Sequence, residues 1–149
     1  MPPKGEALPT QGHDRRCVAL TQLETALRLY FERQDYYSVI ALAGAADEIF
    51  GQLLAASGCE SSIETIKTSV VAIHRHLTGN VIEPSAVAIR ANLARNALKH
   101  WSPGQPLIVS FDSLEEARDM LNRAIDNYWA LEEQLSPAME RFQRECMAA

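Results

Sequence analysis

Apolar side chains recur along this chain at intervals of three, four and seven residues, and the runs break at glycine, proline and capping residues. Leu20, Leu23, Leu27, Tyr30 and Phe31 predict a first helix over about 14–34. A second, over about 36–56, carries Val39, Leu42, Ala46, Ile49 and Leu53 on one face, and its Ala41 to Ala46 stretch is rich in small side chains that let a neighbouring axis come close. Ser57-Gly58 stops it, since glycine accepts the left-handed backbone that closes a helix. Ser61, with Glu64 three residues on, reads as a capping box opening a third helix to about Leu77, with Ile63, Ile66, Val70 and Ile73 as its buried line and Gly79 at its end.

Pro84 opens a fourth helix that is expected to run as one element to about His100 and Trp101, where Pro103 ends it. Residues 102–106 form a loop, and Leu107 to Phe111 a short extended run that is too isolated to make a sheet. Asp112 and Ser113, each with a glutamate three residues on, start a fifth helix with Leu114, Ala117, Leu121, Ala124, Ile125 and Tyr128 turned inward. Ser136-Pro137 opens a shorter sixth, with Met139, Phe142 and Cys146 on one side. The charges of these last two helices read as solvated faces. The pattern predicts an all-α fold, an up-and-down bundle of four to five main helices plus a short C-terminal helix. It forms one domain over 14–149 behind a flexible N-terminus, 1–13.

A chain of 149 residues, 47% hydrophobic, is long enough to bury a core without a metal or disulfide staple. Its three cysteines, Cys17, Cys59 and Cys146, are odd in number and widely spaced, which points to no disulfide framework and to a reducing, cytoplasmic setting. No membrane span is expected from the sequence. His74 and His76, two apart on a helix, point to different sides and do not make a metal pair, and no cofactor-binding motif is present.

The net charge of −5 argues against a broad, sequence-blind grip on nucleic acid. Local charge changes that picture. Between Pro84 and Phe111 there is no acidic residue, while Arg90, Arg95 and Lys99 give a formal +3. In the same stretch Asn92, Arg95, Asn96, Lys99 and His100 follow helical spacing and cover an arc of roughly 140°. They form a polar stripe opposite Leu93, Ala94, Ala97, Leu98 and Trp101. Such a stripe is either a solvated helix end that complements the macrodipole or the wall of an anion-binding cleft. Arg95 and His100 diverge by about 140° around a straight helix and about 7.5 Å along it, too far for both to grip one atom from a single copy. A two-fold axis through the stripe sets Arg95 of one copy against His100 of another.

The segment Arg95-Asn96-Ala97-Leu98-Lys99-His100, near the end of the fourth helix of an α domain, resembles the motif of the HEPN superfamily: arginine, then a polar residue, often asparagine, then histidine after four to six residues. The string from Leu42 to Ile49 is also similar to segments of small bacterial all-α proteins related to that superfamily. The resemblance implies a homodimer that acts as a metal-independent endoribonuclease of toxin or defence type, with a cognate antitoxin as partner. Within it, His100 is implied as acid or base, Arg95 as the phosphate ligand and Asn96 as the group that orients them. Asn92, Lys99 and Arg90 are candidate substrate contacts, and Glu48 is a candidate cleft acid that offsets a buried arginine. Where some members carry a tyrosine two residues after the histidine, modified by a nucleotidyltransferase partner, this chain has Ser102, which argues against that kind of antitoxin. A catalytically silent HEPN-like dimer that binds a nucleotide or protein, and a purely structural helical interaction module, are the alternatives.

Overall fold

The computed structural model describes residues 10–147. Most of the expected N-terminal tail, residues 1–9, lies outside the described residues. Seven helices follow in order and no strand is present among the described residues: α1 (Arg15–Phe31), α2 (Tyr36–Ala56), α3 (Ser62–Thr78), α4 (Pro84–Ala91), α5 (Leu93–Lys99), α6 (Ser113–Glu132) and α7 (Pro137–Met147). The all-helical class read from periodicity is thus observed. Local chemistry sets several of the ends. Asp112 accepts from the backbone N–H groups of Leu114 and Glu115, both at 3.0 Å, and Gly79 ends α3 in the left-handed conformation at φ 72°.

The core forms where α2 packs between α1 and α6, with α7 closing over α1. Leu23, Leu27, Val39, Ile40, Phe50, Met120, Leu121, Ile125, Met139 and Phe142 fill it. In α2 the fully buried face is Val39, Ile40, Ala43, Gly44, Ala46, Asp47, Phe50 and Leu54, whereas the expected Leu42, Ile49 and Leu53 are half-buried at its border. A helix covered on two sides has a wider apolar arc than a single stripe describes. Against the expectation of no membrane span, α2 is long and apolar enough to cross a membrane, but here its surfaces are used by α1 and α6.

The short run after the loop stands as expected outside any sheet, with residues 107–110 exposed. Two other expectations change. The fourth helix is broken at Asn92 into α4 and α5. The third helix has no fully buried residue: Ile63 and Ile66 are half-buried, and Val70 and Ile73 are exposed. Ser61 does occupy the N-cap of α3, but its side chain makes no capping bond. That role falls to Asn127 of α6, whose Oδ1 accepts from the Ser62 N–H at 2.7 Å.

Candidate functional site

Asp47 is a carboxylate in the middle of an apolar helix, 3% exposed, and its burial requires hydrogen-bond partners. Arg123 of α6 donates through Nη2 to Asp47 Oδ2 at 2.6 Å. Asn127, one turn further along α6, donates through Nδ2 to Asp47 Oδ1 at 3.0 Å and to the Asp47 carbonyl at 3.2 Å. Nη1 of Arg123 donates to the Ala91 carbonyl at 3.2 Å and to Asn92 Oδ1 at 2.9 Å. The break between α4 and α5 is therefore held by a side chain of α6. A carbonyl turned out of the helical ladder finds its donor in a buried guanidinium.

Burial works against both charges of the Asp47–Arg123 pair. It pushes the Asp47 carboxyl above its ordinary value, although Arg123 and Arg95 pull the other way. It also holds the Arg123 guanidinium below its own, against the pull of Asp47. The pair persists because hydrogen bonds fill both carboxylate oxygens.

Arg95 stands on the other side of Asp47. Its Nη1 lies 3.8 Å from Asp47 Oδ2 and 4.0 Å from Glu48 Oε2, within electrostatic reach but beyond hydrogen-bond distance. Its Nε is buried with no partner. The side-chain stem lies across α2 at Gly44, where a Cβ would sit 2.5 Å from Arg95 Cδ and 2.8 Å from Cγ. Glycine is thus required here by close approach and not by backbone conformation. The side chain is 15% exposed, so Arg95 is a nearly buried guanidinium, oriented by two acids and with donors still unspent.

The other stripe residues divide. Asn92 turns inward onto Arg123, while Asn96, Lys99 and His100 stand exposed. His100 lies at the end of α5 in extended backbone, φ −136° and ψ 134°, so the angle of a straight helix no longer governs where its ring points. Arg90 is not brought to this group. It lines a cavity of about 710 Å³ between α3, α4 and α6, together with Glu60, Glu116, Asp119, Asp126 and Arg123. The acid-free stretch of sequence is therefore not acid-free in space, since α2 supplies acids to Arg95 and α6 supplies them to Arg90.

Glu48, read from the sequence as a cleft acid, is half exposed at the rim beside Arg95. Asp47, Arg123 and Asn127 were missed. Their signal lies in phase: Asp47 is four residues from Ala43 and three from Phe50, and Arg123 and Asn127 are three and seven from Met120, so all three fall on buried lines. Among the described residues no three His, Cys, Asp or Glu side chains gather as a metal set. No family model, curated protein or solved structure matches this chain.

Proposed function

We propose that the protein is a HEPN-like, metal-independent endoribonuclease that works as a homodimer, with Arg95 and His100 as its reacting pair. The observation that carries this reading is the contrast between two arginines flanking one carboxylate. Both guanidiniums have a buried Nε without a partner, so the contrast lies in the Nη groups: Arg123 spends its Nη donors on Asp47, Ala91 and Asn92. Arg95 is held nearby with Nη1 out of bonding range. A nearly buried guanidinium with unspent donors at a protein rim fits the oxygens of a phosphodiester.

In this reading His100 takes the proton from an RNA 2′-hydroxyl, and the 2′-oxygen attacks the adjacent phosphorus. The bond to the 5′-oxygen breaks, and that oxygen leaves with a proton returned by an imidazole. Arg95 holds the non-bridging oxygens as their charge grows. Lys99 and Asn96, exposed on the same segment, take the neighbouring phosphate and sugar. Two copies are invoked because Arg95 points into the α2 face while His100 leaves the helix into solvent.

The dimer has independent support in apolar surface that one chain leaves wet. Ile73, Leu77, Val81, Ile89, Leu107 and Ile108 are each more than half exposed and are available to a second copy. The test is RNA cleavage in the presence of a chelator. Wild type is expected to cut, and Arg95→Ala and His100→Ala to lose at least about 10²-fold in rate while staying folded and dimeric. Equal cleavage by His100→Ala and wild type would overturn the reading.

A further inference from the structure

We propose that Arg123 is a positioning residue whose task is to occupy Asp47, so that Asp47 does not capture Arg95. Its link to anion binding rests on the functional reading above; the arrangement of the three side chains does not.

The carboxylate of Asp47 carries one charge, with two guanidinium groups and one amide donor around it. Its oxygens have lone pairs to spare, so what Arg123 occupies is the charge, and its own charge repels Arg95. Oδ1 is taken by Asn127 Nδ2 at 3.0 Å, and Oδ2 by Arg123 Nη2 at 2.6 Å. Arg95 Nη1 is left 3.8 Å from Oδ2, close enough to be oriented and too far to be bonded. Asn127 is locked in this sense, because its Oδ1 must face the Ser62 N–H. Neither amide atom is free to turn. If Arg123 loses its charge, Oδ2 becomes an unpaired oxygen in a site that is almost fully buried. The nearest cation is then Arg95, which needs to move by only about 1 Å to form the bond. Its Nη1 is then committed to Asp47 and the guanidinium is drawn inward onto a carboxylate, less available to a bound anion, although neither Arg95 nor His100 has been altered.

The experiment follows the guanidinium signals of Arg95 by nitrogen-15 NMR, with and without inorganic phosphate. It compares wild type, Arg123→Gln and the double variant Asp47→Asn/Arg123→Gln. In Arg123→Gln the Arg95 guanidinium should rotate slowly and show resolved Nη signals, and phosphate affinity should fall about tenfold or more. In the double variant both properties should return to within about threefold of wild type. A purely structural role for Arg123 gives no such return, because the double variant also lacks its bonds to Ala91 and Asn92.

Arg95 signals unchanged in Arg123→Gln, or a folded double variant that stays as altered as the single one, would overturn the proposal. Should Arg123→Gln not fold, Arg123→Lys keeps a cation for Oδ2 while losing the bonds to Ala91 and Asn92; Arg95 rotation should then stay as in wild type, and slowed rotation there overturns the proposal. If rotation behaves as expected and phosphate binds none of the proteins, the positioning role stands and the phosphodiester reading falls.

Discussion

At the residue scale, two arginines 2.6 and 3.8 Å from one carboxylate oxygen have different consequences when removed. Arg123→Ala takes the bonded partner from a buried carboxylate and the donor from Ala91 and Asn92. It should cost up to about 3–5 kcal/mol of unfolding free energy, less whatever Arg95 recovers by closing on Asp47. Arg95→Met keeps the stem that packs on Gly44 and loses only long-range ion pairs, so its cost should stay within about 1 kcal/mol. Urea denaturation of the two variants checks the difference, and equal losses would show that Arg95 is structural. Gly44→Ala is a sharper probe of the site. The added Cβ displaces the Arg95 stem, while the helix gains about 1 kcal/mol of propensity. A melting temperature within a few degrees of wild type with RNA cleavage reduced at least about tenfold is expected. Of these residues Arg95 was legible from its motif, since arginine, asparagine and histidine at fixed spacing stand out in a segment without acids. Asp47, Arg123 and Asn127 were not, because a charge on a mixed-charge helix looks solvated until its phase is set against the buried positions.

At the element scale, the break between α4 and α5 depends on what α6 brings to it. The sequence from Pro84 to Lys99 contains no internal glycine or proline, so nothing local predicts a break, and a continuous helix was the reading that periodicity allowed. The interruption at Asn92 comes from tertiary structure, through Arg123 bonded to the Ala91 carbonyl and the Asn92 amide. Asn92→Ala removes one of those acceptors and should cost about 1–2 kcal/mol. Hydrogen exchange at the backbone amides of α5 should slow if the two helices then merge. Unchanged stability and exchange would mean that the break is set elsewhere. The capping of α3 teaches the same lesson. Ser61 and Glu64 have the right spacing for a capping box, but the bond comes from Asn127, sixty-five residues from its partner Ser62. Caps at Asp112 and Gly79 were legible because they are satisfied within their own turns.

At the scale of the whole molecule, the charge pattern and the apolar surface each make a demand. Burial raises the carboxyl of Asp47, and burial with neighbouring acids raises those of Glu116 and Asp119; burial alone raises Asp126. Among the carboxyls of the described residues Asp35 alone is lowered, by its bonds to Ser38. A raised carboxyl binds its proton more firmly in the folded than in the unfolded chain. Its stabilisation is therefore full below the ordinary carboxylate range and is lost as pH rises through the raised values. Asp35 acts in the reverse sense. Four raised groups against one lowered predict that unfolding free energy falls from about pH 4.5 toward neutrality, measurable by denaturant titration at several pH values. A rise over that window would contradict the arrangement of acids described here.

The apolar positions of α3 were legible as a stripe, but the sequence could not say what covers them. In a single chain Ile73 and Leu77 remain exposed, consistent with a second copy. The account as a whole comes down to whether one chemical step occurs, and an RNA oligonucleotide reports it directly. Cleavage should yield a 2′,3′-cyclic phosphate on one fragment and a 5′-hydroxyl on the other, and the same oligonucleotide with 2′-deoxyribose at every position should stay intact. Cutting of the all-deoxy strand, or fragments that end in a 5′-phosphate, would contradict a mechanism in which His100 activates the 2′-hydroxyl.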